Sequence, residues 1–514
     1  MIKFIDSRNA ILLIKNKDTL AISGFAGLAV PENLLKALEE RYLESMNPKD
    51  LTLMFAAGQG DGDRKGLNHL AHKGLIKKVI GGHFNLAPRL SNMMYNNMIE
   101  GYNLPQGVMC NIFRDIARKS CFTLSKVGLD TFVDPRKDGG KVNTITKEDI
   151  VELIKIKGED FLLYKHRKLD IAFIKGSYCD ENGNISLDDE ATYSESFLIA
   201  QAVKNCGGIV IVQVDKKISN DMMVCRSVKI PKIYVDYIVV VSEEDEKKQV
   251  LGMEDDILLT GNSNGKIHNG KRSMKERAEK LSPREIIGRR AARELKIGDI
   301  VNIGIGVPEE VSKAASESGI IDDIVLTVEP GPIGGIPQSG HKFGSSLKPE
   351  CILDQIEQFD FYDGGGLDIA FLGLAECDEH GNINVSKFAG RLAGCGGFIN
   401  ITQSSKKVVF CGTFTAKGLK INVSNEKLLI ENEGENKKFK KQVEQITFSG
   451  ENAKKSGQQV MYITERAVFK LEEDGLHLVE VAPGIDIKRD IINLMEFNPV
   501  ISHKIKVMNS DLFL

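Results

Sequence analysis

The stretch VEPGPIGGIP (residues 328–337) holds one carboxylate, Glu329, and otherwise only apolar residues, prolines and glycines. Solvated turns mix polar residues, and cores exclude unpaired charge, so this placement asks for a chemical reason. A carboxylate is a nucleophile without an activating base, because an ordinary glutamate pKa near 4.3 keeps it ionised at neutral pH. It is weak toward amides and adequate toward thioesters and anhydrides. Attack by Glu329 on an acyl thioester gives a mixed anhydride and a free thiolate. The thiolate then attacks the glutamyl carbonyl, which releases the carboxylic acid and leaves a glutamyl thioester. A second acid reverses these steps and departs as the new thioester. Gly331, Gly334 and Gly335 leave room for a bulky ligand, and their amides are candidate donors to a developing oxyanion. Capping a helix, pairing with a distant arginine or plain exposure are the structural alternatives for Glu329.

Other reactive-looking motifs carry less. GNSNG (261–265) matches a G-x-S-x-G nucleophile turn, but it stands in a polar segment without the strand before and helix after that the motif needs. His69 and His72 in HLAH lack a third ligand at metal-site spacing, which favours a structural or surface role over zinc. GIGVPEE (304–310) lacks the third glycine of a dinucleotide fingerprint and the G-K-S/T of a phosphate loop. Its amides suit an anion or simple packing equally. Cys395 in GCGGF has a counterpart, Cys206, in NCGGI, and neither has an evident activating histidine. Small packing residues explain both better than a nucleophile does.

Such chemistry needs rigid elements behind it, and the chain has the length for them: 514 residues, 42% hydrophobic and 27% charged. DTLAISGF, LTLMFAAG, LDIAFIKGS, GGIVIVQV and YIVVVS read as strands, and PENLLKALEERYLESM as a helix with Pro31 in its first turn. Alternating strands and helices predict α/β architecture with mostly parallel sheets. Residues 243–280 turn polar and read as a linker between domains at 1–242 and 281–514. Themes recur across it. LDIAFIKGSYCDENGNISL (169–187) returns as LDIAFLGLAECDEHGNINV (367–385), NCGGIVIVQV (205–214) as GCGGFINITQ (394–403), and GFAGLAVPENLLKAL (24–38) is echoed in GIGVPEEVSKAA (304–315). A repeat this long predicts two similar α/β domains with the site in a cleft between them.

A net charge of -3 gives no whole-chain bias toward nucleic acid or an anionic membrane. Nine cysteines without a C-x-x-C pair suggest reduced thiols. The first residues do not read as a signal peptide, and no stretch reaches the roughly 18 apolar residues of a membrane helix. The expectation is a cytoplasmic protein with no nucleic-acid or membrane partner.

On longer motifs the sequence resembles the family I coenzyme A transferases, in particular the single-chain bacterial acetate or propionate CoA-transferases. The resemblance runs through AAGQGDGDRKGLNHLAHKGLIKKVIGGH (56–83), YNLPQGV (102–108), VGLDTFVDPRKDGGKVN (127–143), TVEPGPIGGIP (327–337), QFDFYDGGGLDIAFLGLAECDEHGNINVSKF (358–388), GCGGFINITQ (394–403), VVFCGTFTAKGL (408–419) and EVAPGIDIKRDI (480–491). It implies that Glu329 is the catalytic glutamate of the E-x-G-x-x-G turn and forms a glutamyl-CoA thioester in a ping-pong cycle. It implies that Gly394, Gly396, Gly397 and Phe398 contact the thioester end of CoA, one glycine amide helping to build the oxyanion hole. The Gln106 side-chain amide is implied to reach the substrate carboxylate or the oxyanion. CoA is then a co-substrate, with no metal and no tightly bound cofactor. Acetyl-, propionyl- and butyryl-CoA are implied as donors, acetate-like acids as acceptors, with activity falling beyond about four carbons, in a homo-oligomer, dimer or tetramer. One methylene in an apolar pocket is worth only about 1–3 kcal/mol, which suits breadth. Ser23, where a glycine is expected, and GGHFNL (81–86) depart from the family pattern and bear on acyl-pocket shape. The rival readings are an acyl-CoA hydrolase using the same glutamate and, from another class, a non-catalytic sensor of CoA esters or sugar phosphates.

Overall fold

The computed structural model describes residues 3–241, 259–260 and 281–514. The GNSNG turn and all of the expected 243–280 linker except residues 259–260 lie outside them. The described chain forms two compact units. The first takes the chain through residue 260 together with Val328–Phe361 and Ala389–Asn400; the second takes 281–327, Tyr362–Phe388 and Ile401–Leu514. Contacts thus group the Glu329 turn and the GCGGF element with the N-terminal half, although both follow the expected domain boundary in sequence.

The first unit is built on a parallel sheet. Its strands are β1 (Lys3–Phe4), β2 (Thr19–Ile22), β3 (Leu51–Phe55), β4 (Ile76–Gly81), β5 (Glu100–Asn103), β6 (Ile171–Cys179), β7 (Ile209–Lys217) and β8 (Tyr237–Val240). They run in the order β1-β8-β7-β6-β2-β3-β4-β5, each parallel to its neighbours. Alternate residues of each strand go to opposite faces. Ala21, Met54, Ile80, Ala172 and Val212 join one apolar cluster, while Leu20, Leu53, Val79, Phe173 and Ile211 join another. Both faces are therefore covered, which is why these strands read as nearly unbroken apolar runs.

Helix α1 (Glu32–Ser45) supplies Leu34, Leu35 and Leu38 to the second cluster and ends at Met46 in the left-handed conformation. Helices α2 (Gln106–Ala117) and α3 (Ser196–Asn205) cover the first, α2 through Val108, Met109, Ile112, Phe113 and Ile116, spaced as one helical face. Pro31 is the N-cap of α1 rather than part of its first turn.

His69 binds α1 to the segment after β3. Its Nε2 meets Glu32 at 2.8 Å, Nδ1 meets Glu39, and His72 Nε2 meets Glu39 at 2.7 Å. Burial opposes the charge, yet the two carboxylates push the His69 pKa up to about 9. A raised histidine pKa means that this pairing contributes fully below the unfolded value near 6.5 and is lost as pH rises through about 9. Melting temperature is expected to decline across that window, and less steeply in His69→Gln; equal slopes in the two proteins remove the assignment. Among the described residues no group of three or more His, Cys, Asp or Glu side chains is placed to hold a metal. Nor is any described helix long and apolar enough to cross a membrane.

The second unit repeats the plan. Strands β9 (Ile300–Ile303), β10 (Val325–Thr327), β11 (Ile369–Gly373), β12 (Lys407–Cys411) and β13 (Gln459–Ile463) run parallel in the order β10-β9-β11-β12-β13, extended by β14 (Ala467–Glu472), β15 (Gly475–Val481) and β16 (Val500–Val507). The repeat at a shift of 198 residues extends to single hydrogen bonds. Asp170 accepts from the Thr19 amide at 3.0 Å, and Asp368 from Ile300 at 2.9 Å. Asp180 holds Asn184 in one turn, and Asp378 holds Asn382 in the other, each through main-chain and side-chain donors.

The NCGG echo does not belong to this repeat. Cys206 caps the end of α3 ahead of β7, whereas Cys395 precedes helix α5 (Phe398–Ser404). The same short Gly-Gly chemistry ends one helix and begins another. At the shared shift the counterpart of NCGGIVIV is the QSSKKVVF run, which likewise leads from a helix end into a strand, β12.

Candidate active site

The residues that gather around Glu329 come from the carboxyl edge of the parallel sheet of the first unit, where ligand sites of such sheets lie. Strand register (Ala21 opposite Met54, Phe55 opposite Gly81, Gly81 opposite Asn103) carries on past the strand ends. It sets Ser23, Ala56, Gly82 and Leu104 in a row.

Onto this row the GCGGF element docks residue by residue. His83 bridges Gly394. The Cys395 amide donates to Asn103 Oδ1 at 2.9 Å, and Asn103 Nδ2 donates to the Gly81 and Gly82 carbonyls at 3.0 and 2.6 Å. The Gly396 amide donates to the Gly82 carbonyl at 2.8 Å, while the Gly396 carbonyl accepts from the Gln106 amide, the first of α2, at 2.9 Å. Asn400 Oδ1 accepts from the next amide, Gly107, at 3.1 Å. Close approach requires glycine here: at Gly394, with φ of +84°, an added Cβ would lie 2.9 Å from the Gly82 oxygen.

The amide left for chemistry is that of Gly397, which donates to the Glu329 carboxylate. A Cβ on Gly397 would stand 2.7 Å from Glu329 Oε2 and 2.9 Å from the Phe359 ring. Phe359 lies on helix α4 (Gln355–Asp363) and also faces Gly107, where an added Cβ would be 2.9 Å from its ring. On the other side of Glu329, the Thr192 hydroxyl donates to the Pro330 carbonyl at 2.5 Å.

Two of the three glycines after Glu329, Gly331 and Gly335, do something other than expected. Gly331 has φ of +122°, and a Cβ there would come within 2.0 Å of the Leu353 oxygen; its amide is bonded to Val328 O at 3.0 Å. At Gly335, φ is +68° and a Cβ would be 2.4 Å from Leu347 O. These two serve the turn's own packing.

Electrostatics separate Glu329 from an ordinary surface carboxylate. Burial pushes its pKa up to about 7, against the Gly397 hydrogen bond that lowers it, and no charged group among the described residues contributes. The ordinary value expected from sequence is thereby corrected. Burial pushes His83 down to about 4, so its ring is neutral at neutral pH. The Cys395 thiol is pushed far up by burial and by the nearby Glu329 charge, and its Sγ lies 3.8 Å from the Gly82 oxygen. It is a packing residue. Gln106 is buried, and its Nε2 has no hydrogen-bond partner among the described residues. Phe398 begins α5 with its side chain buried and its amide on the Cys395 carbonyl at 3.0 Å.

All six residues expected from the sequence are thus placed in one unit, where Glu329 meets Gly397 and Gln106 meets Gly396. His83, Asn103 and Phe359 were not anticipated, because nothing local marks them. Only GGH and YNLPQG, each at a strand's carboxyl end, held a usable signal.

A family model described as coenzyme A transferase matches residues 5–241. Caffeate CoA-transferase of Acetobacterium woodii is 43% identical over 518 residues, spanning 100% of this chain and 98% of its own. The chain belongs to the coenzyme A transferase family. Acetate CoA-transferase YdiF of Escherichia coli O157:H7 is 41% identical over 514 residues, 99% of this chain and 95% of that one. A crystal structure of acyl-CoA transferase YdiF from the same organism, a thioester complex with CoA, matches with a TM-score of 0.93 at 40% identity, covering 100% of this chain and 96% of that one. As a transferase of this family the protein is an enzyme that transfers CoA, with CoA as co-substrate.

Proposed function

We propose that this transferase moves CoA between short-chain acyl-CoA thioesters and short-chain carboxylic acids, ping-pong, through a glutamyl-CoA thioester on Glu329. The observation that carries the reading is the carboxylate itself: half-buried, unpaired by any described cation, and bonded to one main-chain amide, that of Gly397. One Glu329 oxygen attacks the acyl carbonyl carbon. The tetrahedral adduct collapses and expels the CoA thiolate, leaving an acyl-glutamyl anhydride. The thiolate attacks the glutamyl carbonyl carbon, the bond from that carbon to the bridging oxygen breaks, and the acyl group departs with that oxygen as the free carboxylate. In that second step charge develops on the glutamyl oxygen, and the Gly397 amide donates to it. Gln106 Nε2, buried without a partner, is the donor for the oxyanion of the first step or for the acid's carboxylate. Neutral His83 adds no competing charge. Exclusion of water protects both activated intermediates from hydrolysis.

Acetyl-, propionyl- and butyryl-CoA as donors and acetate-like acids as acceptors fit the relative named for acetate; the relative named for caffeate argues for tolerance of larger acids. The same reading takes 1–242 and 281–514 as the two CoA-transferase-type domains of a cytoplasmic homo-oligomer, dimer or tetramer.

Borohydride reduction after incubation with acetyl-CoA tests it. Peptide mapping is expected to find the reduced residue at 329, and a modified residue elsewhere, or none, overturns the mechanism. Because Glu329 must be ionised to attack, kcat/KM for acyl-CoA is expected to fall about tenfold per pH unit below a limb near pH 7. A limb near 4.5 contradicts the burial argument. Gln106→Ala is expected to lower kcat about 10- to 100-fold with the fold intact by circular dichroism, and an unchanged kcat removes Gln106 from the site.

A further inference from the structure

One buried carboxyl near the Glu329 turn has no part in the transfer steps. Glu195 is 1% exposed and precedes α3 on the segment that runs from Glu190 to Ser196. That segment is tied to the active turn: Thr192 donates to the Pro330 carbonyl, and the Gln355 amide donates to the Ser194 carbonyl at 3.2 Å. Glu195 Oε2 accepts from Gln355 Nε2 at 3.4 Å, and the Ala56 amide is directed at the same carboxyl. Ala56 belongs to the row at the sheet's carboxyl edge, one strand from Gly82, whose carbonyl holds Gly396. Neighbouring strands lie about 4.8 Å apart, so the Ala56 amide that faces Glu195 is about one strand spacing from Gly82. One strand spacing, roughly 5 Å, is also about the length of a short acyl chain.

Around it, polar atoms go unmatched among the described residues. Glu195 Oε1, Gln355 Oε1, Ser194 Oγ and Ser196 Oγ have no hydrogen-bond partner, and neither do Ser23 Oγ, which register sets opposite Ala56, and Gln59 Oε1. Gln59 is fixed beside Ser23 by donating from Nε2 to the Ile22 carbonyl at 3.1 Å. The contrast with Glu190 on the same segment is direct, since Glu190 is equally buried and pairs with Lys175 at 2.7 Å. Leaving one such group buried and unmatched costs about 1–3 kcal/mol, so a cluster of them favours a ligand that supplies what is missing. Carbonyl and carboxyl oxygens with serine hydroxyls call for a group that both donates and accepts, which is a hydroxyl. Burial also pushes the Glu195 pKa up to about 8, so the carboxyl is mostly neutral at neutral pH and does not repel the substrate's own carboxylate.

We propose that Glu195, with Ser23 and Gln355, forms a hydrogen-bonding subsite for a hydroxyl two to three carbons from the thioester, making this transferase selective for hydroxylated over plain alkyl acyl groups. The inference rests on Glu329 as the acyl-accepting nucleophile and deepens that reading.

The test uses propionyl-CoA as donor and compares 3-hydroxybutyrate with butyrate as acceptor, equal in carbon number and differing by one hydroxyl. Wild type is expected to show the higher kcat/KM with the hydroxy acid. Glu195→Leu is expected to lower that preference tenfold or more, Ser23→Ala several-fold, and Glu195→Gln much less, because a carboxamide still donates and accepts. Ser23→Ala removes an unbonded hydroxyl, so it keeps the test open should Glu195→Leu not fold. Butyrate preferred by wild type, or one preference shared by wild type, Glu195→Leu and Ser23→Ala, overturns the subsite and leaves these groups to structural water. Borohydride trapping with propionyl-CoA is run in parallel: an adduct at 329 with an unchanged preference defeats the subsite alone, whereas no adduct at 329 in wild type defeats the mechanism.

Discussion

Glu329→Gln is expected to lower kcat/KM for acyl-CoA by on the order of 10⁴-fold or more, because a carboxamide cannot form the anhydride or the glutamyl thioester. The substitution is nearly isosteric and keeps an oxygen for the Gly397 amide, so the fold and CoA binding are retained. Stability provides a second readout. A carboxyl whose folded pKa is raised to about 7 resists ionising in the folded state. Ionising it therefore costs stability as pH rises from about 4.5 through 7. Glu329→Gln is expected to melt no lower than wild type at pH 8, and any gain is expected to vanish at pH 4.5. Loss of activity with retained melting temperature and CoA binding identifies a chemical role; transfer at wild-type rate sinks it. Glu329→Asp withdraws the carboxylate by about an ångström, and a misplacement of that size costs on the order of 10²-fold.

Gly397→Ala is expected to cost about 10²–10³-fold in kcat, the range for a lost oxyanion donor. The new methyl group would stand 2.7 Å from Glu329 Oε2 and 2.9 Å from the Phe359 ring, and contacts that close cannot persist. Either the carboxylate swings off the amide or the amide withdraws from the carboxylate. Backbone strain does not explain the loss, since Gly397 is not among the residues with positive φ. Gly396→Ala is the control. There φ is +52° and the nearest atom to an added Cβ is 3.6 Å away, so the expected cost is about 1–2 kcal/mol of stability from the left-handed backbone. Equal kcat losses in the two variants point to general disruption and remove the special role of Gly397.

Much of the framework was legible because it obeys local rules. The strands LTLMF and IVIVQV are apolar throughout, since a parallel sheet covered on both faces leaves no solvent side. The repeat at a shift of 198 residues survives down to Asp170 and Asp368 holding the same strand start. The NCGG echo misled because four residues of Gly-Gly chemistry serve a helix end as readily as a helix start, and only the elements on either side tell them apart. Similarly, Gly331 and Gly335 read as space for a ligand, whereas the Leu353 and Leu347 carbonyls occupy that space.

By itself the sequence determined the α/β class, the internal repeat, the family and Glu329 as the one carboxylate in a turn without competing side chains. These follow from hydrophobic period and from motif, which are properties of neighbouring residues. Tertiary structure alone decided which amide faces that carboxylate, why its pKa is near 7 rather than 4.5, and that His83, Asn103 and Phe359 hold the glycine element that supplies the amide. Those outcomes depend on burial and on strand register, which bring Asn103 to Cys395 and Phe359 to Gly397 across hundreds or tens of residues. No local pattern encodes a distance of that kind.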